Sequence, residues 1–93
     1  MLERCIDGMK HAQAEALAKL APLLNHLRTL PLVERTPGSF YFKGKAYLHF
    51  HEDPAGYFVD VKLAHREFER LPVSTAAERA LVLKQVRASL AAF

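Results

Sequence analysis

The 93-residue chain is 51% hydrophobic and 25% charged, with a formal net charge of +3. That length suits a single domain over residues 1–93, and the apolar content excludes a disordered chain. The mild basic excess, with acids and bases alternating as in "REFER", forms no basic tail, and the apolar runs are far too short to span a membrane.

The opening residues, "MLERCIDGMK", mix acids and bases with apolar residues, unlike a secretory signal. Cys5 is the one cysteine, which rules out an internal disulfide and makes a reducing cytoplasm the expected setting. From there Leu2, Cys5, Ile6, Met9, Ala16, Leu17, Leu20, Leu23, Leu24 and Leu27 recur at helical spacing on one stripe, interrupted by Gln13. Glu15 and Lys19 make an outward i,i+4 pair, and His11 and His26 fall on the polar side. Pro22 lacks the amide that a helix interior uses. The expectation is a helical segment kinked near Pro22, or two nearly collinear helices, ending before Pro31.

The middle of the chain reads as an antiparallel meander. In "SFYFKGKAYLHFH" the alternation breaks at Lys43-Gly44-Lys45, a hairpin signal. An odd turn would set Phe42 against Ala46 and Phe40 against Leu48, keeping one apolar row on one side; an even turn would pair Phe42 with Lys45. The odd turn is therefore expected. "HEDPAG" reads as the next connection, with Phe50 opposite Tyr57, Leu48 opposite Val59 and Ala46 opposite Val61. The inner face is then Phe40, Phe42, Ala46, Leu48, Phe50, Tyr57, Val59 and Val61. Short strands at "VERT" and around "FERLPV" could extend the sheet, the latter at an edge because of Pro72.

"STAAERALVLKQVRASLAAF" opens with a capping box, Thr75 and Glu78, and continues with the stripe Val82, Leu83, Val86, Leu90 and Phe93. Lys84 and Arg87 point away from it, and Leu81 falls outside it. The whole predicts a two-layer α+β fold: an N-terminal helical segment, a three- to four-stranded antiparallel β-meander and a C-terminal helix.

The outer face of this sheet carries Tyr41, Lys43, Lys45, Tyr47, His49, His51, Phe58, Asp60 and Lys62, too aromatic for a face left to water. Tyr41, Tyr47, His49, His51, Phe58 and Asp60 are its candidate binding residues. The main expectation is self-association, a homodimer anchored on Tyr41, Tyr47 and Phe58. The first alternative is a divalent transition metal on His49, His51 and Asp60. His49 and His51 leave one face of a strand about 6.6–7 Å apart, with Asp60 diagonal to His49 on the next strand. "HFHED" also resembles the His-x-His-x-Asp run of metallo-β-lactamase-type hydrolases over five residues, with Pro54 where that motif continues with histidine.

The second alternative is single-stranded nucleic acid. "KGKAYLHF", Lys43 to Phe50, resembles the RNP1 element of RNA-recognition domains: Lys43, Gly44, Ala46 and Phe50 fit it directly, Tyr47 and Leu48 conservatively. The resemblance implies that Tyr47 stacks on a base. Catalysis is expected less than binding. Asp60 and His49 could form an acid–base pair, but no nucleophile elbow, phosphate-binding glycine loop or paired carboxylates accompany them, and Gly38, Gly44 and Gly56 are explained by turns.

Overall fold

Alternating apolar residues between Val33 and Pro72 leave one side of a sheet in need of cover, and helical stripes at both ends of the chain provide it. A computed structural model describes residues 10, 11 and 13–92. Its elements are β1 (Lys10–His11), α1 (Ala14–Lys19), α2 (Ala21–Leu27), β2 (Val33–Thr36), β3 (Ser39–Phe42), β4 (Lys45–Asp53), β5 (Gly56–Val61), β6 (Glu69–Pro72) and α3 (Ala76–Ala91). Strands β2 to β6 lie side by side in chain order, all antiparallel, and β1 adds a short pairing to the far end of β4. The fold is α+β, as expected, but its meander has five strands because "VERT" and "ERLP" both join the sheet and form its two edges.

The N-terminal helical reading needs correction. Lys10 and His11 pair with Glu52 and His51, so no continuous helix runs through them. The expected stripe members Leu2, Cys5, Ile6 and Met9 lie outside the described residues. Farther along, Ala16, Leu20, Leu23, Leu24 and Leu27 are buried as predicted. The break between α1 and α2 falls at Leu20, and Pro22 occupies the first turn of α2, where a missing amide leaves nothing unsatisfied.

The C-terminal helix follows the sequence closely. Thr75 Oγ1 accepts from the Glu78 amide and the Glu78 carboxylate accepts from the Thr75 amide, completing the capping box. Val82, Val86 and Leu90 are buried against Leu20, Leu24 and Leu27 and against Phe40, Leu48, Phe50, Val59 and Val61 of the sheet. Leu81 is exposed, and Phe93 lies outside the described residues.

The first hairpin departs from the odd turn. Lys43 and Gly44 have φ of 52° and 83°, both left-handed, which makes a two-residue turn of the I′ kind with Phe42 opposite Lys45. That pairing would throw the rest of β4 onto the wrong face. A β-bulge corrects it: Tyr41 faces Ala46 and Phe40 faces Leu48, leaving Tyr47 as the extra residue. Tyr47 and Leu48 consequently both point into the core, 2% and 1% exposed. Ala46, expected inside, pairs instead with Tyr41.

The second hairpin slips by two residues. Strand β4 continues to Asp53, and only Pro54 and Ala55 separate it from Gly56. Asp53 Oδ1 accepts from the amides of Ala55 and Gly56, which stabilises this tight turn. Phe50 thus faces Val59, Leu48 faces Val61, and Tyr57 faces Glu52. An even slip keeps every side chain on its predicted face, so the error in register did not become an error in burial. No helix among the described residues is long and apolar enough to cross a membrane.

Candidate metal centre on the outer face of the sheet

The two-residue slip moves Asp60 from a diagonal position to one directly opposite His49, with His51 opposite Phe58. Alternation along β4 sends His49 and His51 out of the same face, and their rings meet edge to face at 4.6 Å between centroids. Asp60 Oδ2 lies 3.1 Å from His51 Nε2 and 3.7 Å from His49 Nε2. One donor atom from each of the three residues falls within 4.8 Å of the others. Their side chains are 22%, 12% and 13% exposed for His49, His51 and Asp60, so the cluster is largely sheltered, with both His51 ring nitrogens buried.

Strand β6 adds a residue the sequence reading did not include. Arg70 pairs across the sheet with Asp60, and its guanidinium donates from Nε to Oδ1 at 2.8 Å and from Nη2 to Oδ2 at 2.9 Å. Burial acts to raise the carboxyl pKa of Asp60, but the Arg70 hydrogen bonds and the nearby His51, Arg70 and His49 charges outweigh it. The result is a carboxyl held below its ordinary range. The cross-strand signal is present in the sequence, where a strand at "FERLPV" sets Arg70 opposite Asp60 once its register against "YFVDVKL" is fixed.

Phe68 closes one side of the cluster. Its ring stands edge-on to His49 with centroids 4.8 Å apart, and Lys62 Nζ lies 4.8 Å from the Phe68 centroid. A cavity of about 250 Å³ opens next to His49, lined also by Ser39, Tyr41 and Phe68. Tyr41 and Phe58 stay on the outer side, partly buried, with the Arg35 guanidinium 4.6 Å from the Tyr41 ring.

Tyr47 is the candidate that the structure takes out of this site. The bulge turns it to the inner face, where its hydroxyl donates to Ser89 Oγ of α3 at 2.8 Å. Burial raises the tyrosine pKa, partly offset by that hydrogen bond. The stacking role implied by the RNP1-like run is not open to a ring buried in this way, and a five-stranded meander is not the strand order of RNA-recognition domains.

Ser89 and His65 were also missed, and they invite a catalytic reading because His65 Nε2 lies 3.1 Å from Ser89 Oγ. The hydrogen bonds argue otherwise. His65 Nε2 is also 3.1 Å from the Ser89 carbonyl oxygen, which can only accept, so Nε2 carries the proton. The serine hydroxyl donates to the Leu63 carbonyl at 2.6 Å. A protonated ring nitrogen cannot take the serine proton, and Ser89 instead clips α3 to the sheet. Compared with protein-family models, curated proteins and solved structures, the chain matches none of them.

Proposed function

We propose that this chain is a metal-binding protein that holds a divalent first-row transition ion through His49 Nε2, His51 Nε2 and Oδ2 of Asp60. The observation that carries the reading is the convergence of these donors from two hydrogen-bonded strands to within 4.8 Å. Metal–ligand bonds of about 2.0–2.1 Å in a tetrahedral site put neighbouring donors about 3.3 Å apart. The distances of 3.1 and 3.7 Å to Asp60 bracket that value, so modest side-chain rotations would close the site. Imidazole and carboxylate donors suit zinc and its neighbours better than magnesium or calcium.

Three protein ligands leave a coordination position for water or another exchangeable ligand, the arrangement of an open rather than a closed structural site. Arg70 holds the carboxylate in place from behind and also withdraws charge from it. Moderate affinity follows. The hydrophobic core is built without these residues, so the metal is a ligand of the folded protein and not a condition of folding. The single cysteine of the sequence fits a reducing compartment, and the cytoplasm is the proposed setting.

The test is calorimetric titration of EDTA-stripped protein with zinc. One ion per chain is expected, with affinity reduced at least about a hundredfold in His49→Ala and His51→Ala and at least about tenfold in Asp60→Asn. Binding that ignores all three substitutions would overturn the proposal. Self-association over the same face is the second reading, supported by Phe68, which is 40% exposed beside Tyr41 and His49. A solution mass that stays monomeric at every concentration would reject it.

A further inference from the structure

On the helix side of the sheet, away from the histidine pair, the first hairpin and the segment after β5 enclose a second cavity of about 220 Å³. Lys43, Lys45 and Lys62 line it together with Phe42, Tyr47 and His65, and none of its described lining residues is acidic. The three rings form one cluster: Phe42 to Tyr47 at 5.9 Å, and His65 at 5.5 Å from each. The cavity therefore sets the Phe42 and His65 rings beside the Lys43 and Lys45 side chains, while the Lys62 ammonium rests on the Phe68 ring.

The backbone is held in uncommon conformations to make it. Lys43 and His65, with φ of 52° and 61°, are the two non-glycine residues at positive φ among the described residues, and both line this cavity. The first position of a I′ turn favours asparagine, aspartate or glycine, so a lysine at position 43 gives up turn stability for a charge at the cavity mouth. The amide of Lys62 donates to the Tyr47 carbonyl at 2.9 Å, which seats Lys62 beside the bulge. The amide of His65 donates back to the Lys62 carbonyl at 2.9 Å, and its ring is tied to Ser89. Left-handed non-glycine residues persist where surrounding contacts hold them, and they cluster at ligand sites.

We propose that this cavity binds a small organic anion, with a phosphate or carboxylate group on Lys43 and Lys45 and a compact planar body against Phe42 and His65. The volume is below that of drug-sized pockets, which limits the ligand to a single ring or its equivalent. The positive charge of the first hairpin, with Lys43 and Lys45 at the opening, attracts an anion. The aromatic wall distinguishes a ring-bearing anion from a bare ion.

The experiment is an amide NMR titration of the whole chain at low salt with phenyl phosphate, benzoate, inorganic phosphate and benzyl alcohol. Phenyl phosphate or benzoate, whichever headgroup the lysines prefer, should give saturable shifts at Gly44, Lys45, Tyr47, Lys62 and His65. Inorganic phosphate should bind at least about tenfold more weakly and benzyl alcohol should not saturate. Lys43→Asn is the decisive variant, because it places a better turn residue at position 43 while removing the charge. It should keep or raise the melting temperature and weaken the ring-bearing anion by about tenfold; Lys45→Gln should weaken it similarly. Equal binding by both variants and the wild type would overturn the proposal. So would shifts spread alike over distant Lys19 and Lys84, or no saturable shift with either ring-bearing anion.

Discussion

Replacing Tyr47 separates the two faces of the sheet most sharply. The side chain is 2% exposed, and its hydroxyl makes a single hydrogen bond, to Ser89. In Tyr47→Phe the ring stays and only that bond is lost. Ser89 keeps its bond to the Leu63 carbonyl and its contact with His65, so no buried group is orphaned and the cost should be about 1 kcal/mol. Tyr47→Ala removes a fully buried ring and leaves a cavity beneath α3, for about 3–5 kcal/mol. A chain of this length is stable by only about 5–14 kcal/mol, so the alanine variant should be close to unfolding. Urea denaturation followed by circular dichroism reads both. With an m-value of about 1–2 kcal/mol/M, the midpoint should fall by about 0.5–1 M for phenylalanine and by at least about 1.5 M for alanine. An alanine variant within about 0.5 kcal/mol of wild type would refute the inward placement, since that is the behaviour of an exposed aromatic on the outer face.

Other outcomes follow from the same contacts. Because the Asp60 carboxyl is held below its ordinary value in the folded state, its stabilising contribution is full above about pH 4 and is lost as pH falls through the folded value. Urea midpoints of wild type should therefore drop on acidification below about pH 4, while Asp60→Asn, already weaker at neutral pH, should show a smaller drop; parallel pH curves would contradict this. Arg70→Met removes a cation 2.8 Å from the same carboxylate and should tighten zinc binding about tenfold, measured by calorimetry, whereas weaker binding would mean that orientation by Arg70 outweighs repulsion. Gly56 has φ of 142°, and a Cβ there would fall against Ser74 Oγ, so Gly56→Ala should cost about 1–3 kcal/mol by thermal melting; an unchanged melting temperature would refute the strain.

Local rules carried much of the fold. The capping box at Thr75 and the stripe from Val82 to Leu90 depend on residues within a few positions of one another, and both appear as read. The alternation of Phe40, Leu48, Phe50, Val59 and Val61 predicted the buried face even though the β4–β5 register slipped by two. The misses lie where two local preferences compete. At Lys43-Gly44 the twist of the strands favours a two-residue turn, the core favours the opposite parity, and a bulge at Tyr47 satisfies both. No alternation pattern contains that bulge, so alternation alone puts Tyr47 on the outer face. The short pairing of Lys10 and His11 with β4 overrode a helical stripe that looked continuous. At the candidate site, spacing along one strand revealed His49 and His51, whereas Arg70 depended on the register of an edge strand and became visible only with the sheet assembled.

Thermal melting of EDTA-stripped protein, with and without zinc, bears most directly on the proposed metal centre. The stripped protein should remain folded, because the core does not involve the site. Zinc at about a hundred times its dissociation constant should then add about 2.7 kcal/mol, a rise in melting temperature of about 10–20 °C for a domain of this size. The rise should disappear in His51→Ala. A melting temperature indifferent to zinc, or an equal rise in that variant, would contradict a metal site on His49, His51 and Asp60.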